Sequence, residues 1–254
     1  MVEAFAVASG KGGTGKTTST VALGMALADR YDVTIVDADT GMANLLFHAG
    51  LEDVETTLHD VMTAGDVPVE AATYDRFGMS VVPCGTSLAG FEDADPERLR
   101  GAVADLAAGA DVLLLDSPAT LGSKSAVLPI VLSDRVIVVL NPTVPAVSDG
   151  LKVQEYALSY GSDIAGTIFN RTRGDAESVT EKADRYFEGP TLATVPESDA
   201  VQAARSDGTP LLKHAPDSPA AAAFRRAAGA LSVADGDSEA VAERFRTAVI
   251  PDPP

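Results

Sequence analysis

The sequence predicts an α/β fold, built on a single doubly wound, mostly parallel sheet with helices on both faces. Seven short apolar segments alternate with stretches of helical character. The segments are almost continuously apolar, as expected for parallel strands buried on both faces. No break in composition divides the 254 residues. We therefore expect one domain over residues 1–232, followed by a hinge and a short C-terminal helix and tail over 233–254.

The predicted strands follow the apolar segments in chain order. They are Ala4–Ala8, Val33–Asp37, Met79–Pro83, Asp111–Asp116, Val136–Leu140, Ile164–Phe169 and a segment within Leu192–Glu197. The main predicted helices are Thr17–Ala28, Pro96–Ala108, Val147–Tyr160, Pro219–Leu231 and Ser238–Val249. Ser238 is expected to cap the last of these helices, with Val241, Phe245, Ala248 and Val249 on one face. Residues 51–77 are expected to form surface helix and loop without a chemical role.

Charge and composition exclude several classes of function. The formal net charge is −18, only six residues are lysine, and tryptophan is absent, a pattern typical of proteins adapted to high salt. No basic stripe is available to displace counterions from nucleic acid, which argues against DNA as a partner. Cys84 is the single cysteine, so a disulfide or a cysteine metal cluster within one chain is excluded. His48 and His59 lack nearby ligands and are not predicted to bind metal.

The sequence also predicts a cytoplasmic protein. The N-terminus leads directly into the first predicted strand without a basic segment, and no run of about 18 apolar residues is present. We expect any association with a membrane to be peripheral.

A glycine-rich loop follows the first predicted strand and carries the main chemical signal. It fits the pattern G-x-x-x-x-G-K-[ST] and precedes an Ala/Leu-rich helix. Its glycines allow successive N–H groups to face one concavity, and the helix N-terminus adds positive potential for phosphate. Lys16 is predicted to reach the β- and γ-phosphates of a nucleotide, and Thr17 to ligate Mg²⁺. The candidate nucleotide-binding residues of this loop are Gly10, Lys11, Gly12, Gly13, Thr14, Gly15, Lys16, Thr17 and Thr18.

Acidic residues follow two of the other predicted strands. Asp37 ends the second strand, Asp39 follows two residues later, and Asp116 ends an apolar strand before Ser117. Ligands of open α/β sheets bind at the carboxyl ends of strands, so these carboxylates are expected beside the glycine-rich loop. Asp116 is the Walker B candidate for Mg²⁺. Of Asp37 and Asp39, one is expected to orient metal-bound water and the other the attacking water.

Lys11 adds a second lysine that a plain phosphate-binding loop does not need. The segment Lys11 to Thr18 resembles the motif K-G-G-x-G-K-[ST]-[ST] of the MinD/ParA family of deviant Walker A ATPases, a SIMIBI-class P-loop NTPase family, and most resembles archaeal MinD-like proteins. The resemblance covers nearly residues 1–232. It implies Mg²⁺-dependent ATP binding, a nucleotide-dependent homodimer, and a Lys11 side chain that crosses to the partner's nucleotide.

Other segments extend this resemblance. Residues 37–45 are similar to the family's first switch, which implies that Asp39 is catalytic, that Asp37 supports the metal, and that Asn44 orders the switch. Residues 116–119 match D-S-P-A, whereas Thr120-Leu121-Gly122 departs from the family pattern and leaves water positioning there in doubt.

Two later pairs resemble the family's base-binding segments. The pair Asn170-Arg171 implies that the Asn170 amide contacts adenine. Pro196-Glu197 implies a backbone contact beside the base.

The implied function is an ATPase whose dimerisation and slow hydrolysis switch partner binding, for positioning of division, motility, chemosensory or cell-shape machinery. An unidentified protein activator or cargo is expected, and the protein is expected in the cytoplasm, recruited to cell poles or membrane-associated assemblies. Two alternatives stay open: a ParA-like DNA-associated partitioning ATPase, and a nucleotide-dependent scaffold with little turnover. The C-terminal helix balances Arg244 and Arg246 against Glu239 and Glu243, so docking on the core or binding of a partner is preferred to membrane anchoring.

Overall fold

The structure is a computed structural model of the chain. It describes residues 2–51, 53–63, 65–119, 122, 124–174 and 177–249, without the side chains of residues 124, 125 and 177.

The described residues form one sheet of eight strands in the order β3-β4-β2-β5-β1-β6-β7-β8. The strands are β1 Glu3–Ala8, β2 Val33–Asp37, β3 Tyr74–Arg76, β4 Met79–Val82, β5 Val112–Asp116, β6 Arg135–Leu140, β7 Asp163–Thr172 and β8 Thr191–Pro196. All neighbouring pairs are parallel except β3 and β4. The prediction of a mostly parallel sheet is confirmed.

One strand was not predicted. β3 lies within residues 51–77, which we expected to be surface helix and loop, and it pairs antiparallel with β4 at the edge of the sheet. β3 is only three residues long and largely exposed, so it lacks the apolar run that predicted the other seven. Phe77 and Gly78 have φ of 52° and 82° and form the tight turn into β4.

Helices cover both faces of the sheet. The α-helices are α1 Lys16–Leu27, α2 Leu45–His48, α3 Leu58–Met62, α4 Leu88–Asp93, α5 Leu99–Leu106, α6 Lys124–Val131, α7 Val144–Ser159, α8 Glu177–Ala183, α9 Asp199–Ser206, α10 Leu211–His214, α11 Pro219–Ala230 and α12 Ser238–Thr247. Two short 3₁₀ helices span Val69–Ala72 and Pro96–Arg98. The predicted helix Pro96–Ala108 is therefore a 3₁₀ turn followed by α5.

The central strand β5 shows how the two faces are divided. Val112 and Leu114 pack with α1 and α11 on one face, while Leu113 and Leu115 pack with α5 and α12 on the other. Side chains of a strand alternate between faces, so an unbroken apolar strand contributes to two cores at once. This burial holds β1, β2 and β5 in register and fixes the positions of the loops at their carboxyl ends.

The C-terminal helix α12 packs on α5, with Val241, Ala242 and Phe245 buried between them. Two details of its prediction were wrong. Asp237, rather than Ser238, is the N-cap, because its carboxylate accepts a hydrogen bond from the Ala240 N–H at 2.9 Å.

The helix also ends at Thr247, before the predicted boundary, so Val249 is 81% exposed and does not join the buried face. Residues 250–254 of the predicted tail lie outside the described residues. Within the described part of the chain, no helix is both long and apolar enough to cross a membrane.

Candidate functional site

Residues 10–18, called the P-loop below, lead from the carboxyl end of β1 into the first turn of α1. Gly13 and Gly15 have φ of 78° and 95°, in the left-handed region that other residues avoid. A Cβ atom on Gly10 would lie 2.4 Å from the backbone oxygen of Asp149, so only glycine fits there. The loop therefore takes its shape from close packing as well as from glycine's conformational freedom.

The two side chains predicted to bind phosphate and metal lie in the first turn of α1. Lys16 is only 8% exposed. Thr17 donates a side-chain hydrogen bond to Asp116, which places its hydroxyl at the tip of β5. Thr14 keeps a buried hydroxyl without a hydrogen-bond partner among the described residues. The P-loop thus presents an ammonium group, a hydroxyl and a helix N-terminus to one point, as phosphate binding requires.

Asp37 and Asp116 end adjacent strands and are direct partners in the register of β2 and β5. Both are buried, and burial together with the nearby Asp116 carboxylate raises the pKa of Asp37 well above its ordinary value. Asp37 Oδ2 accepts a hydrogen bond from the Leu45 N–H at 3.2 Å. Its Oδ1 atom is buried and has no partner among the described residues. Two adjacent buried carboxylates create a strong demand for a cation.

Asp116 is tied to α1 by two hydroxyl groups. Thr20 donates a hydrogen bond to Asp116 Oδ1 at 3.0 Å, and Thr17 donates a second one. Burial nevertheless raises the pKa of Asp116 to about 6, against the opposing effects of these hydroxyls and of Lys16. The carboxylate is therefore held rigidly at the sheet edge and is poorly stabilised as an anion by protein groups alone.

Asp39 lies beyond the tip of β2 and is partly exposed. Its Oδ1 atom accepts a hydrogen bond from the Met42 N–H at 3.1 Å, which closes a short turn. Burial raises the pKa of Asp39, and the nearby Lys16 ammonium partly opposes this shift. The predicted catalytic carboxylate therefore lies within electrostatic reach of the predicted phosphate-binding lysine.

The donor set fits Mg²⁺ bound together with a nucleotide. Among the described residues, no group of three or more His, Cys, Asp or Glu side chains is arranged to hold a metal ion alone. Mg²⁺ is usually bound by one or two protein oxygens together with phosphates and water. Thr17 and Asp116 would be its protein ligands, and the unpartnered Oδ1 of Asp37 would accept a hydrogen bond from metal-bound water.

A cavity of about 250 Å³ opens beside the P-loop and contains the predicted base-binding residues. Its lining includes Gly15, Asn170, Arg171, Pro196 and Glu197. Elements separated by more than a hundred residues in the chain thus meet at the predicted nucleotide, although contact with a base stays a prediction.

Lys11 and Asn44 are less constrained. Lys11 is exposed and forms no ion pair among the described residues, so its side chain is free to extend away from its own P-loop. Asn44 is also exposed and donates a hydrogen bond from Nδ2 to the Met42 carbonyl at 2.5 Å, within the loop that carries Asp39.

Thr120 and Leu121, where the sequence departs from the family pattern, lie outside the described residues.

Sequence reasoning missed two residues that support the site. Thr20 lies one turn after Lys16, and this spacing could have placed it on the same face of α1 as the P-loop lysine. His59, assigned no role, is 3% exposed and donates from Nε2 to the Thr40 carbonyl at 2.9 Å. No local sequence signal predicts that contact, because the two residues are 19 positions apart in the chain, with α2 between them.

Comparison with known proteins agrees with this geometry. Residues 5–211 match the CobQ/CobB/MinD/ParA nucleotide-binding domain. An uncharacterized ATP-binding protein of Methanocaldococcus jannaschii is 40% identical over 234 residues, which are 91% of this chain and 88% of that protein. The septum site-determining protein MinD of Thermotoga maritima is 31% identical over 83% of this chain and 81% of its own length.

The solved structures similar to this chain include MinD of Pyrococcus horikoshii complexed with Mg-ADP. It is 35% identical, superposes with a TM-score of 0.83, and the match covers 90% of this chain and 95% of that one. The sheet, the P-loop and the matched length lead to one conclusion: the chain belongs to the CobQ/CobB/MinD/ParA family of nucleotide-binding proteins.

Proposed function

We propose that this protein is a MinD-like ATPase whose Mg²⁺·ATP-dependent dimerisation and slow hydrolysis switch its binding to a protein partner. The main support is the meeting of Lys16, Thr17, Asp39 and Asp116 at one edge of the sheet, although they come from three separate segments. Phosphate binding alone would not require acidic side chains there. A hydrolytic site needs both a metal-binding acid and a carboxylate that can position water.

In this proposal each group has one task. The P-loop amides and Lys16 bind the phosphates and stabilise charge that develops during phosphoryl transfer. Bound Mg²⁺ would supply further charge neutralisation at the phosphate oxygens. Asp39 orients the attacking water and accepts its proton, and the raised pKa of its carboxylate favours that acceptance.

Lys11 is proposed to act between two subunits. Its exposed side chain starts from the P-loop, so in a face-to-face dimer it would approach the nucleotide of the second copy. Such a contact exists only when both copies hold a triphosphate in the same arrangement. ATP would therefore favour the dimer, and hydrolysis would return the protein to monomers.

The proposed cellular role is spatial positioning of division, motility, chemosensory or cell-shape machinery. It rests on the similarity to septum site-determining relatives. We expect action in the cytoplasm, with recruitment to poles or membrane-associated assemblies. Arg244 and Arg246 pair with Asp134 and Asp105 on the core, so acidic side chains of the protein already offset the positive charge that anionic lipid would need. The net charge of −18 disfavours the ParA-like, DNA-bound alternative.

Two measurements test the proposal. Phosphate release and mass in solution should be recorded with Mg²⁺·ATP, in molar KCl, for the parent, Asp39→Ala and Lys11→Ala. We expect Asp39→Ala to bind ATP, release little phosphate and accumulate as dimer, and Lys11→Ala to stay monomeric. Equal phosphate release by the parent and Asp39→Ala would remove Asp39 from its role. A parent that stays monomeric with ATP would refute the switch, and a parent that binds ATP but releases little phosphate would favour the scaffold alternative.

Localisation provides a separate test of the positioning role. A fluorescent fusion of the parent in the source cell should be concentrated at particular sites, and the same fusion carrying Lys16→Ala should be uniform. Uniform signal from both fusions would contradict spatial positioning while leaving ATP hydrolysis open to the biochemical assay.

A further inference from the structure

Asn170 joins the base cavity to the P-loop through its own side chain. It lies near the end of β7 and is 7% exposed. Its Nδ2 atom donates a hydrogen bond to the Thr14 carbonyl at 2.8 Å, and its Oδ1 atom accepts one from the Arg171 N–H at 2.9 Å. Because one partner is a carbonyl and the other an N–H, the orientation of the amide is determined by its surroundings.

The contact with the P-loop is close as well as polar. A Cβ atom on Gly15 would lie 2.2 Å from Asn170 Nδ2, so the amide lies directly against the N-cap residue of α1. Thr14 supplies the carbonyl, Gly15 has φ of 95°, and Lys16 follows at the start of the helix. A restraint on Thr14 is thus applied just before the turn that aims Lys16 and the first helical amides.

The amide has capacity left after these two bonds. A side-chain amide offers two N–H groups and two acceptor lone pairs, and Asn170 uses one of each within the protein. It also lines the cavity of about 250 Å³ beside the P-loop. One residue can therefore contact a ligand in the cavity and hold the loop that binds phosphate.

We propose that Asn170 is a positioning residue for the P-loop, which restrains Thr14 so that Lys16 and the neighbouring amides are ready for phosphate. This inference deepens the proposed function and rests on phosphate binding at that loop. Binding of the base and positioning of the P-loop are two different roles for the Asn170 side chain, and they predict different results. A residue that only reads the base has no effect on ligands without a base, whereas a positioning residue affects phosphate binding itself.

The test compares ATP with inorganic tripolyphosphate, which has the phosphates but no base, each with Mg²⁺. Dissociation constants are measured by calorimetry for the parent, Asn170→Ala and Asn170→Asp. Asn170→Asp keeps the acceptor for the Arg171 N–H and loses the donor to Thr14, but it also adds a negative charge near the phosphate site. The uncharged Asn170→Ala therefore shows how much of any loss comes from the missing contact with the loop. The control Gln202→Ala removes a side chain that lines the cavity without a hydrogen bond to the P-loop.

We expect Asn170→Ala to bind tripolyphosphate about 5- to 10-fold more weakly than the parent, as loss of the ordering hydrogen bond to Thr14 implies. Asn170→Asp should bind it at least as weakly, because its charge also repels the phosphates. Gln202→Ala should leave tripolyphosphate binding unchanged. Hydrogen exchange of the peptide covering residues 10–18, measured without ligand, should be faster in both Asn170 variants and unchanged in the control.

Parent-like tripolyphosphate binding and parent-like exchange in both Asn170 variants would overturn the inference, even if ATP binding were weakened. A parent that binds neither ligand would refute the proposed function instead. If neither ligand binds, or if only ATP binds measurably, hydrogen exchange of residues 10–18 without ligand decides whether Asn170 restrains the P-loop. Thermal unfolding of each variant shows that the comparison is made between folded proteins.

Discussion

Replacing Asp116 with asparagine should make the metal-free protein more stable at pH 7.5, although the same change should abolish its stabilisation by Mg²⁺ and nucleotide. Asp116 is buried beside Asp37, and burial raises its pKa. At pH 7.5 without a metal ion, the folded protein must hold a charged carboxylate in a poorly solvated position. Asparagine keeps the acceptor oxygen for the Thr20 hydroxyl and removes the charge.

The magnitude follows from the pKa of Asp116 in the folded and unfolded chain. The rise from 3.8 to about 6 corresponds to about 3 kcal/mol of lost stability above pH 6. Because the folded state binds this proton more tightly, its stability falls as the pH rises from about 4 to about 6 and then levels off. Weakening of the Thr17 hydrogen bond offsets part of the gain, so we expect a net stabilisation of about 1–3 kcal/mol at pH 7.5.

The assay is urea unfolding in EDTA at pH 5.0 and pH 7.5, with the free energy of unfolding obtained from midpoint and slope. The parent should gain stability relative to Asp116→Asn when the pH is lowered to 5.0. Asp163→Asn removes the same charge at an exposed position on β7 and should leave the difference between the two pH values unchanged. A further series with Mg²⁺ and ADP should stabilise the parent and not Asp116→Asn.

The reasoning would be refuted if Asp116→Asn were less stable than the parent at pH 7.5 in EDTA. It would also be refuted if the variant and the parent showed the same change between pH 5.0 and 7.5, because the buried charge would then not determine the difference. Either result would mean that protein groups stabilise the Asp116 anion well, and that the site has no special demand for a cation.

Three further outcomes can be measured independently. Lys16→Ala should weaken ATP binding by about 10- to 100-fold, through loss of a charged hydrogen bond, as titrated calorimetrically. His59→Phe should leave the Thr40 carbonyl unpaired, destabilise the protein by about 1–2 kcal/mol in urea unfolding, and lower kcat more than ATP affinity. Glu3→Gln should break the buried bidentate pair with Arg135, destabilise by about 3 kcal/mol, and leave ATP affinity unchanged. Parent-like ATP affinity of Lys16→Ala, or parent-like stability of His59→Phe or Glu3→Gln, would contradict the corresponding contact.

The sequence predicted the parts of the fold whose signals are local. The apolar strands around Leu114 and Val138 are recognisable because burial on both faces leaves an unbroken run of large apolar residues. The edge strand β3 has no such run, since its side chains face solvent and its pairing depends on the turn at Phe77 and Gly78. The start of α12 was less well predicted, because Asp237 and Ser238 are both suitable N-cap residues and Asp237 takes that position.

The candidate site also contains residues that a sequence signal predicts and contacts that no such signal predicts. Lys16, Asp37 and Asp116 could be predicted, because a sequence motif and the ends of buried strands place them at one sheet edge. The hydrogen bond from Asn170 to Thr14 joins residues 156 positions apart, and no periodicity or spacing indicates it. Contacts of this kind depend on how the final fold brings loops together, so they become visible only in three dimensions.

The central claim is that the P-loop and the carboxyl ends of β2 and β5 together bind a nucleoside triphosphate and Mg²⁺. The most direct measurement is a calorimetric titration of the parent with a non-hydrolysable ATP analogue, with Mg²⁺ and with EDTA. The account predicts saturable binding of one analogue per chain, with clearly lower affinity in EDTA because Thr17 and Asp116 then have no metal to hold. Absence of binding, or equal affinity with Mg²⁺ and with EDTA, would contradict it.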